Sequence, residues 1–369
     1  MPKMVLILTT EDPKNLGGME NFVSLLARGL EERGFDVKLF HKGNCLPPWL
    51  SNAKGTAKRT VSDIALGWYI GRQAQRDLSE DVVGVISNST VGWYPLANRP
   101  MSTKNIHFAH GTYAGQADAI APFISSLGKW KLKWWDSMLL ERASGRGKLV
   151  LCNSEQTTAE VRNFFGQRGL NIWLPFDVAQ YHPLDQEQCR ISLGLSVRGP
   201  VGLFVGNTSP MKNFQTVRSL VSAFPEVRWI LALRGNVPAE FKTGFGGLLL
   251  QDVPQNQLPT LYNAADFSVC PSFYEPFGYV VAESLACGTP VIASPGGASR
   301  AFLAQPPFDR FLIKSPSSVE DFAAAIRGIL RDPAYYKHKV RELIRPKLLE
   351  LLAPENWWRR FFEATGLNS

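Results

Sequence analysis

Short apolar runs alternate with helical patterns along most of this 369-residue chain. A short apolar run is typical of a buried strand, and a following segment with apolar side chains every third or fourth residue is typical of a covering helix. Residues 19–33 have the helical pattern, because Phe22, Leu26 and Leu30 fall at helical spacing. Repeated along the chain, the alternation predicts an α/β fold in which helices cover parallel sheets.

The alternation begins a second time after Pro200, which predicts two doubly wound, Rossmann-like halves. The predicted strands are 4–10, 36–40, 82–87, 105–109, 148–153 and 171–174, then 201–205, 228–233, 248–251, 267–271 and 291–293. Helical patterns follow at 319–330, 334–352 and 355–364. We place the domains at residues 1–180 and 181–350, with a C-terminal helix in 351–369. That helix contains Trp357 and Trp358 and is too aromatic for solvent, so we expect it to cross back toward the first domain, with the groove between the halves as a candidate place.

The net charge of +8 favours anionic partners such as nucleotides or anionic lipid headgroups. Nucleic acid is a weaker candidate, because no known binding module accompanies the charge. Five scattered cysteines without a Cys-x-x-Cys pair argue against a disulfide framework and a zinc site. The first apolar run is too short for a signal peptide, and no run approaches the length of a membrane span. We therefore expect a cytoplasmic protein that is at most peripheral to a membrane.

Polar groups suited to chemistry concentrate at residues 266–297, which predict a buried strand, a loop and then a helix at 279–287. The N-terminus of such a helix favours an anion, since its amides and the helix dipole point toward it. Amides near Phe277 and Gly278 are therefore candidate phosphate ligands. Two carboxylates bracket this terminus, Glu275 in the loop and Glu283 inside the helix. For an isolated pair, a helix cap and a solvated helix face would be the simpler interpretation.

The wider context of this pair resembles the glycosyltransferases of family 4, which are retaining enzymes of the GT-B fold. Their signature is two glutamates separated by seven residues, and Glu275 and Glu283 have that spacing. The flanking residues that agree with the signature are 276–278, 282, 286, 288–293 and 296–297. The approach to it agrees at 253–254, 258–259, 261–262 and 264–266. Further matches follow the family's order over almost the whole chain. The resemblance implies two Rossmann-like domains facing a cleft, with the acceptor on the first and the nucleotide-sugar donor on the second.

The matches elsewhere in the chain carry further site residues by resemblance. Gly17 and Gly18 match the glycine loop where the backbone approaches the donor phosphate or the acceptor. His110 matches the histidine that contacts the donor sugar, and Lys212 matches a lysine that holds the diphosphate. Each also has a structural interpretation as a turn glycine, a core histidine or a surface lysine.

Three departures from the family pattern concern the diphosphate and the hinge. Asn207 stands where the family usually has an arginine, which removes a bidentate charged donor. Arg234, after the strand 228–233, is a candidate to supply the missing charge. The hinge at 175–177 lacks the Asn-Gly that is common in the family.

The resemblance implies a retaining transfer of a hexose from a nucleotide-diphosphate sugar to a hydroxyl of a glycan or lipid-linked acceptor. UDP is favoured by family frequency alone, no metal or other cofactor is required, and cell-surface polysaccharide or lipopolysaccharide assembly is the expected setting. Glu275 would contact the sugar, Glu283 the ribose hydroxyls, and Lys212 the leaving diphosphate. The implied donor site comprises Gly18, Asn207, Lys212, Arg234, Pro276, Phe277, Gly278 and Glu283, and the implied acceptor site comprises Gly17, Gly18 and His110.

A separate feature, which we call the Trp-Lys patch, comprises Trp130, Lys131, Lys133, Trp134 and Trp135. Tryptophan with lysine beside it is typical of a helix that lies on anionic lipid. A domain helix that buries its aromatic side chains and solvates its lysines explains the same sequence equally well.

Two other functions stay open on the sequence. A nucleotide-sugar epimerase of similar two-lobed fold is the nearest enzyme. A protein that binds sugar nucleotides without turnover is the alternative from another class, and Asn207 in place of an arginine makes it conceivable.

Overall fold

The computed structural model describes residues 3–10, 12–14, 17–47, 56–242 and 245–368. The chain divides into two compact units. The first comprises Met1–Pro175 together with Trp357–Ser369, and the second comprises Phe176–Asn356. Each unit contains one parallel sheet with helices on it, as the alternating pattern predicts.

The sheet of the first unit has the strand order β2-β1-β3-β4-β5-β6 within the described residues, and all neighbours are parallel. Its strands are β1 (Met4–Leu8), β2 (Asp36–Phe40), β3 (Val82–Asn88), β4 (Lys104–Ala109), β5 (Leu149–Cys152) and β6 (Gly169–Asn171). Its first helices are α1 (Gly18–Glu31), α2 (Lys42–Cys45), α3 (Thr56–Arg76), α4 (Tyr113–Ala119), α5 (Ser126–Trp130), α6 (Arg142–Gly145) and α7 (Glu155–Phe165). A π-helical segment, Lys131–Glu141, joins α5 to α6.

The sheet of the second unit has the order β11-β10-β7-β8-β9 within the described residues. Its strands are β7 (Val201–Gly206), β8 (Arg228–Leu233), β9 (Leu248–Gln251), β10 (Phe267–Cys270) and β11 (Val291–Ala293). Its helices are α8 (Gln186–Ser192), α9 (Phe214–Ala223), α10 (Ala239–Lys242), α11 (Leu258–Ala264), α12 (Tyr279–Ala286), α13 (Gly297–Leu303), α14 (Val319–Leu330), α15 (Pro333–Lys339) and α16 (Arg345–Leu352). Helix α17 (Pro354–Thr365) ends the chain of elements.

Each sheet has a point at which the strand order reverses. In the first unit β2 and β3 lie on opposite sides of β1, and in the second unit β8 and β10 lie on opposite sides of β7. Loops that leave the carboxyl ends of such strands diverge and leave a crevice, which is where ligands of doubly wound sheets bind. Ligand-binding residues are therefore expected after β1 and β3 in one unit and after β7 and β10 in the other.

The aromatic C-terminal helix packs on the first unit, as expected. Trp357 is fully buried, and its ring lies 6.1 Å from that of Phe22 and 6.5 Å from that of Phe108. Its indole N–H donates to the carbonyl of Trp173 over 3.4 Å. The Trp358 ring lies against Gly29 of α1, where an added Cβ would come within 2.1 Å of it.

Most predicted elements differ from the structure by a few residues at their ends, and two differ more. The strand predicted at 171–174 is misplaced and shares only Asn171 with β6. The Asn171 side chain accepts from the amide of Trp173, where the chain turns with a φ of 60°. The helix predicted at 334–352 is interrupted by a π-helical segment, Val340–Ile344, just before Pro346. A proline nitrogen has no hydrogen to donate, so the regular helical ladder cannot pass through that position. No helix in the described part of the chain is long and apolar enough to cross a membrane.

Candidate functional site

Lys212 and Glu275 meet at the switch point of the second sheet. Lys212 ends a short 3-10 turn, Pro210–Lys212, that follows β7, and Glu275 lies in the loop after β10. The Lys212 ammonium donates to Oε2 of Glu275, and both side chains are mostly buried. Burial opposes the charged form of Lys212, but the charges of Glu275 and Cys270 and the hydrogen bond to Glu275 together outweigh it and leave the pKa of Lys212 above its usual value. The predicted phosphate lysine and the first glutamate of the signature are therefore direct partners.

The backbone of the loop 275–278 rests directly on the start of α13. The amide of Gly297 donates to the carbonyl of Glu275 over 3.0 Å, and the amide of Ala298 donates to that of Phe277 over 2.6 Å. A Cβ on Gly297 would lie 2.3 Å from the carbonyl oxygen of Pro276. Gly278 has a φ of 93°, which only glycine adopts readily, and α12 begins immediately after it. These contacts fix the position of the Glu275 backbone and of the α12 N-terminus.

Glu283 is buried inside α12 and is held by tyrosines. The hydroxyl of Tyr262 donates to Oε2 of Glu283 over 2.7 Å, and Tyr181 also hydrogen-bonds this carboxylate. Burial raises the pKa of Glu283 to about 7, although both tyrosines pull it down. The hydroxyl of Tyr279, one turn away on α12, is buried and has no hydrogen-bond partner among the described residues. Near neutral pH, the Glu283 carboxyl is therefore close to the midpoint of its titration.

Asn207 and Arg234 occupy the two loops beside Lys212. The Asn207 side chain accepts from the amide of Ser209 over 3.1 Å, so it stabilises its own turn. Arg234 follows β8, is exposed, and its positive charge acts to lower the pKa of Lys212. A guanidinium close enough to act on Lys212 is suited to share an anion with it.

The predicted residues Gly17, Gly18 and His110 belong to the first unit. Gly17 is extended and precedes α1, and its missing Cβ leaves room for the Glu20 carboxylate, which would otherwise lie 1.9 Å from it. His110 follows β4 directly and its ring lies 5.0 Å from that of Phe22 on α1. Its Nε2 lies 2.9 Å from Oδ1 of Asn88, at the end of β3. Burial lowers the pKa of His110 to about 4, so the ring is neutral at neutral pH.

The Trp-Lys patch divides into an exposed and a paired part. Trp130 and Trp134 are 53% and 58% exposed, and Leu127 and Leu139 nearby in the chain are also exposed. Lys131, however, donates to Asp136 over 2.8 Å, and Lys133 donates to Asp118 over 3.0 Å. Trp135 is half-buried. The exposed face is therefore more apolar than the sequence alone indicates, because acidic side chains compensate two of its lysines.

Several side chains that contact the site are not among the predicted site residues. Tyr262, Ser272 and Asn88 contact Glu283, Glu275 and His110 respectively, and they lie 21, 3 and 22 residues away in the chain. The position of Asn88 at the carboxyl end of a strand is the one signal that sequence reasoning could have used. Within the described ranges, no group of three histidine, cysteine, aspartate or glutamate side chains is arranged to hold a metal ion.

Two family models match this chain in succession. The model described as Glycosyltransferase Family 4 matches residues 16–173, and the model described as Glycosyl transferases group 1 matches residues 185–345. Curated relatives match over most of the chain as well. D-inositol 3-phosphate glycosyltransferase 2 of Catenulispora acidiphila is 28% identical over 363 residues, which cover 86% of this chain and 82% of that protein. D-inositol 3-phosphate glycosyltransferase of Mycobacterium marinum is 26% identical, covering 86% and 74%.

Solved structures share the fold. Sucrose-phosphate synthase from Thermosynechococcus elongatus aligns with a TM-score of 0.78 at 20% identity, over 98% of this chain and 100% of that one. WaaG, a glycosyltransferase involved in lipopolysaccharide biosynthesis, aligns with a TM-score of 0.75 at 16% identity, over 99% and 100%. Anabaena HepE, in complex with UDP and glucose, aligns with a TM-score of 0.71 at 17% identity, over 100% of both chains. The two doubly wound units therefore have the GT-B fold.

Proposed function

Since this chain belongs to the group 1 glycosyltransferases of family 4 and so transfers a sugar, we propose that its donor is a nucleotide-diphosphate hexose. The observation that carries the proposal is the meeting of Lys212 and Glu275 at the switch point of the second sheet, with the buried Glu283 on the helix that begins there. The α12 N-terminus, Lys212 and Arg234 supply positive potential for a diphosphate. Glu275 supplies a carboxylate for sugar hydroxyls, and Glu283 one for the ribose.

We propose that the transfer retains the anomeric configuration and needs no metal. The bond from the anomeric carbon to the diphosphate oxygen breaks as the bond to the acceptor oxygen forms on the same face, and the acceptor proton passes to the departing phosphate. Lys212 and the amides near Phe277 and Gly278 stabilise the charge that develops on the diphosphate, because fixed dipoles need no reorganisation. In the unliganded protein Glu275 neutralises Lys212, and the diphosphate takes over that role when the donor binds.

Alanine variants of the two signature glutamates test the assignment. Glu275→Ala and Glu283→Ala should each lower the transfer rate at least a hundredfold while the fold, followed by circular dichroism, is kept. Rates near normal in both would contradict the assignment. Incubation of a nucleotide sugar without acceptor is the companion measurement: an isomerised sugar would favour an epimerase, and tight binding without release of nucleoside diphosphate would favour a binding protein. NMR of the product linkage tests retention, and an undiminished rate in EDTA is expected.

For the donor base we propose UDP, and for the acceptor a hydroxyl of a glycan or lipid-linked sugar in cell-surface polysaccharide or lipopolysaccharide assembly. The support comes from two structures of the same fold: HepE is in complex with UDP and glucose, and WaaG is involved in lipopolysaccharide biosynthesis. A panel of UDP-, GDP- and ADP-sugars, followed by calorimetry and by slow hydrolysis, tests the base. Binding confined to GDP- or ADP-sugars would contradict UDP.

We also propose that the exposed part of the Trp-Lys patch rests on an anionic membrane surface at the cytoplasmic face. Trp130 and Trp134 are suited to the headgroup region, and the net charge of +8 complements anionic lipid. Because Lys131 and Lys133 are paired with aspartates, the aromatic contribution should dominate.

Flotation with liposomes that contain phosphatidylglycerol tests this surface at low and moderate salt. The double variant Trp130→Ala/Trp134→Ala should lose most of the bound fraction. The matched control is Tyr335→Ala, at an aromatic residue exposed to 43% on the second unit, which should keep binding. Absence of binding at low salt, or equal binding of all three proteins, would refute the proposal.

A further inference from the structure

His110 and Asn88 form a hydrogen bond whose direction the surrounding structure determines. Nδ2 of Asn88 lies 3.2 Å from the carbonyl oxygen of Leu8, at the end of β1. A carbonyl oxygen can only accept, so the Asn88 amide nitrogen must face Leu8 and its oxygen must face the imidazole. The strand register brings Leu8, Asn88 and His110 close together. Leu8 pairs with Ser87, the residue before Asn88, and Asn88 pairs with Phe108, two residues before His110.

The orientation of Asn88 fixes the tautomer of His110. Oδ1 of Asn88 lies 2.9 Å from Nε2 of His110 and can only accept, so Nε2 must carry the proton. In a neutral ring the other nitrogen, Nδ1, is then an acceptor with an unshared electron pair. The ring is neutral because burial lowers the pKa of His110 to about 4.

Nδ1 of His110 is shielded from solvent and has no hydrogen-bond partner among the described residues. A buried acceptor without a donor is unfavourable by about 1–3 kcal/mol, so such atoms are rare unless something else satisfies them. The aromatic rings of Phe22 and Phe108 lie 5.0 and 5.9 Å from the imidazole and cannot donate to it. Among the described residues, Nδ1 therefore lacks a hydroxyl or amide donor.

We propose that Asn88 is a positioning residue that holds His110 as the Nε2–H tautomer, so that Nδ1 accepts a hydrogen bond from a sugar hydroxyl of the substrate. The inference rests on the proposed function for the identity of the ligand, and on geometry alone for the tautomer. It assigns a role to Asn88, and it makes the contact directional: a substrate must offer an O–H at this point, and an ether or a deoxy position there cannot replace it.

The tautomer is read without any substrate, by long-range ¹H–¹⁵N correlation on the whole protein with ¹⁵N-labelled histidine. The chain has five histidines, and His110→Gln identifies the signal of interest. The wild type should show a protonated Nε2 and an unprotonated Nδ1. Asn88→Ala should populate the Nδ1–H form. Asn153→Ala, at another buried asparagine that follows a strand of the same sheet and accepts from Thr157, should leave the signal unchanged.

The ligand is tested in the same spectra with UDP-glucose, UDP and glucose as separate probes. UDP-glucose should shift the Nδ1 resonance of the wild type, and UDP alone should not. A shift with glucose alone would identify a free sugar, rather than the donor, as the source of the hydroxyl. Calorimetry on UDP-glucose distinguishes failure of the proposed function from failure of this inference. If neither UDP-glucose nor any other sugar nucleotide of the panel binds, the proposed function is contradicted. If UDP-glucose binds without an Nδ1 shift, the ligand part of this inference is overturned.

Kinetics distinguish positioning from support of the fold. Asn88→Ala should lower kcat about tenfold or more, the loss expected for one hydrogen bond, with less than a twofold change in the Kd of UDP. Asn88→Asp keeps an acceptor for Nε2–H but sets its second carboxylate oxygen against the carbonyl of Leu8, so it should restore only part of kcat. A wild-type Nδ1 that carries the proton, or equal kcat in Asn88→Ala and wild type, would overturn the proposal.

Discussion

At the scale of single residues, the buried Glu283 should couple donor binding to pH if it binds the ribose as proposed. Its pKa is raised to about 7 by burial, while the hydroxyls of Tyr262 and Tyr181 favour the ionised form. Only the ionised carboxylate accepts two ribose hydroxyls, so the affinity for nucleoside diphosphate should weaken as the pH falls through about 7. Above that pH the affinity should level off.

Tyr262→Phe removes one hydroxyl donor from Glu283 and should raise the pKa of this carboxyl further. The midpoint of the Kd of UDP against pH, measured by calorimetry, should therefore move to higher pH. Tyr336→Phe, at a buried tyrosine of the same unit that lies by Arg310, is the control and should leave the midpoint in place. If the Kd of UDP has the same midpoint pH in Tyr262→Phe and in wild type, the Tyr262 hydroxyl does not affect the ionisation of Glu283.

Arg234 and Asn207 offer a paired test of the altered diphosphate loop. Removal of the exposed guanidinium in Arg234→Ala should raise the donor KM about tenfold, because one charged hydrogen bond contributes about 1.5–3 kcal/mol. Asn207→Arg in the Arg234→Ala background should recover part of that loss, since it restores an arginine beside Lys212. An unchanged KM in Arg234→Ala would show that this residue does not touch the donor.

The sequence identifies the charged residues of the site better than their partners. Glu275, Glu283 and Lys212 follow from a motif and its spacing, and the structure brings Lys212 and Glu275 into contact. The Tyr262 and Asn88 contacts join residues from different strands and helices. Which side chains meet in this way depends on sheet order and register, and a single sequence records neither.

At the scale of elements, the approach of α13 to the loop 275–278 leaves no room for a side chain. Gly297→Ala would place a Cβ 2.3 Å from the carbonyl oxygen of Pro276 and 2.8 Å from that of Phe277. Backbone atoms cannot rotate away as side chains do, so the loop that carries Glu275 must shift. We expect weaker donor binding together with a Tm lower by several degrees.

Gly328→Ala is the matched control for that substitution. Gly328 lies within α14, and nothing lies within 4 Å of the Cβ that it would gain. Alanine is favoured over glycine in a helix interior by about 0.5–1 kcal/mol, so Tm should rise slightly with donor affinity unchanged. If both variants behave alike in calorimetry and in thermal unfolding, the close approach at Gly297 has no bearing on the site.

Regular elements agree well with their predicted bounds, and irregular ones do not. Four strands, β2, β8, β9 and β11, have the predicted bounds, because apolar runs with clear turn signals around them leave little choice. The edge strand β6 was misplaced, since its end depends on the Asn171 turn. The π-helical segment Lys131–Glu141 was not foreseen, because α- and π-helices have similar apolar spacing over so few turns.

At the scale of the whole molecule, the first unit depends on residues that follow the second unit in the chain. Trp357→Ala removes a fully buried side chain that packs on Phe22 and Phe108 and should destabilise the first unit by about 3–5 kcal/mol. Hydrogen exchange should accelerate in β1 and β4, while β7 and β10 keep their protection.

Arg359→Ala, on the exposed side of α17, is the control for Trp357→Ala and should change neither unit. Equal acceleration in all four strands would show that the two units unfold together rather than separately. A sequence pattern predicts that such an aromatic helix is buried, but it does not specify the partner rings, which come from α1 and β4.

The return of Trp357–Ser369 to the first unit also orders events on the ribosome. Domains usually fold as they emerge, N-terminal first. Here the second unit is one continuous stretch and is complete as soon as Asn356 has left the exit tunnel, whereas the first unit, although synthesised earlier, still lacks the helix that covers Phe22 and Phe108. While the second unit is being synthesised, the rings of Phe22 and Phe108 therefore lack the helix that covers them. We expect a chaperone to bind the first unit at this stage, before the chain is released.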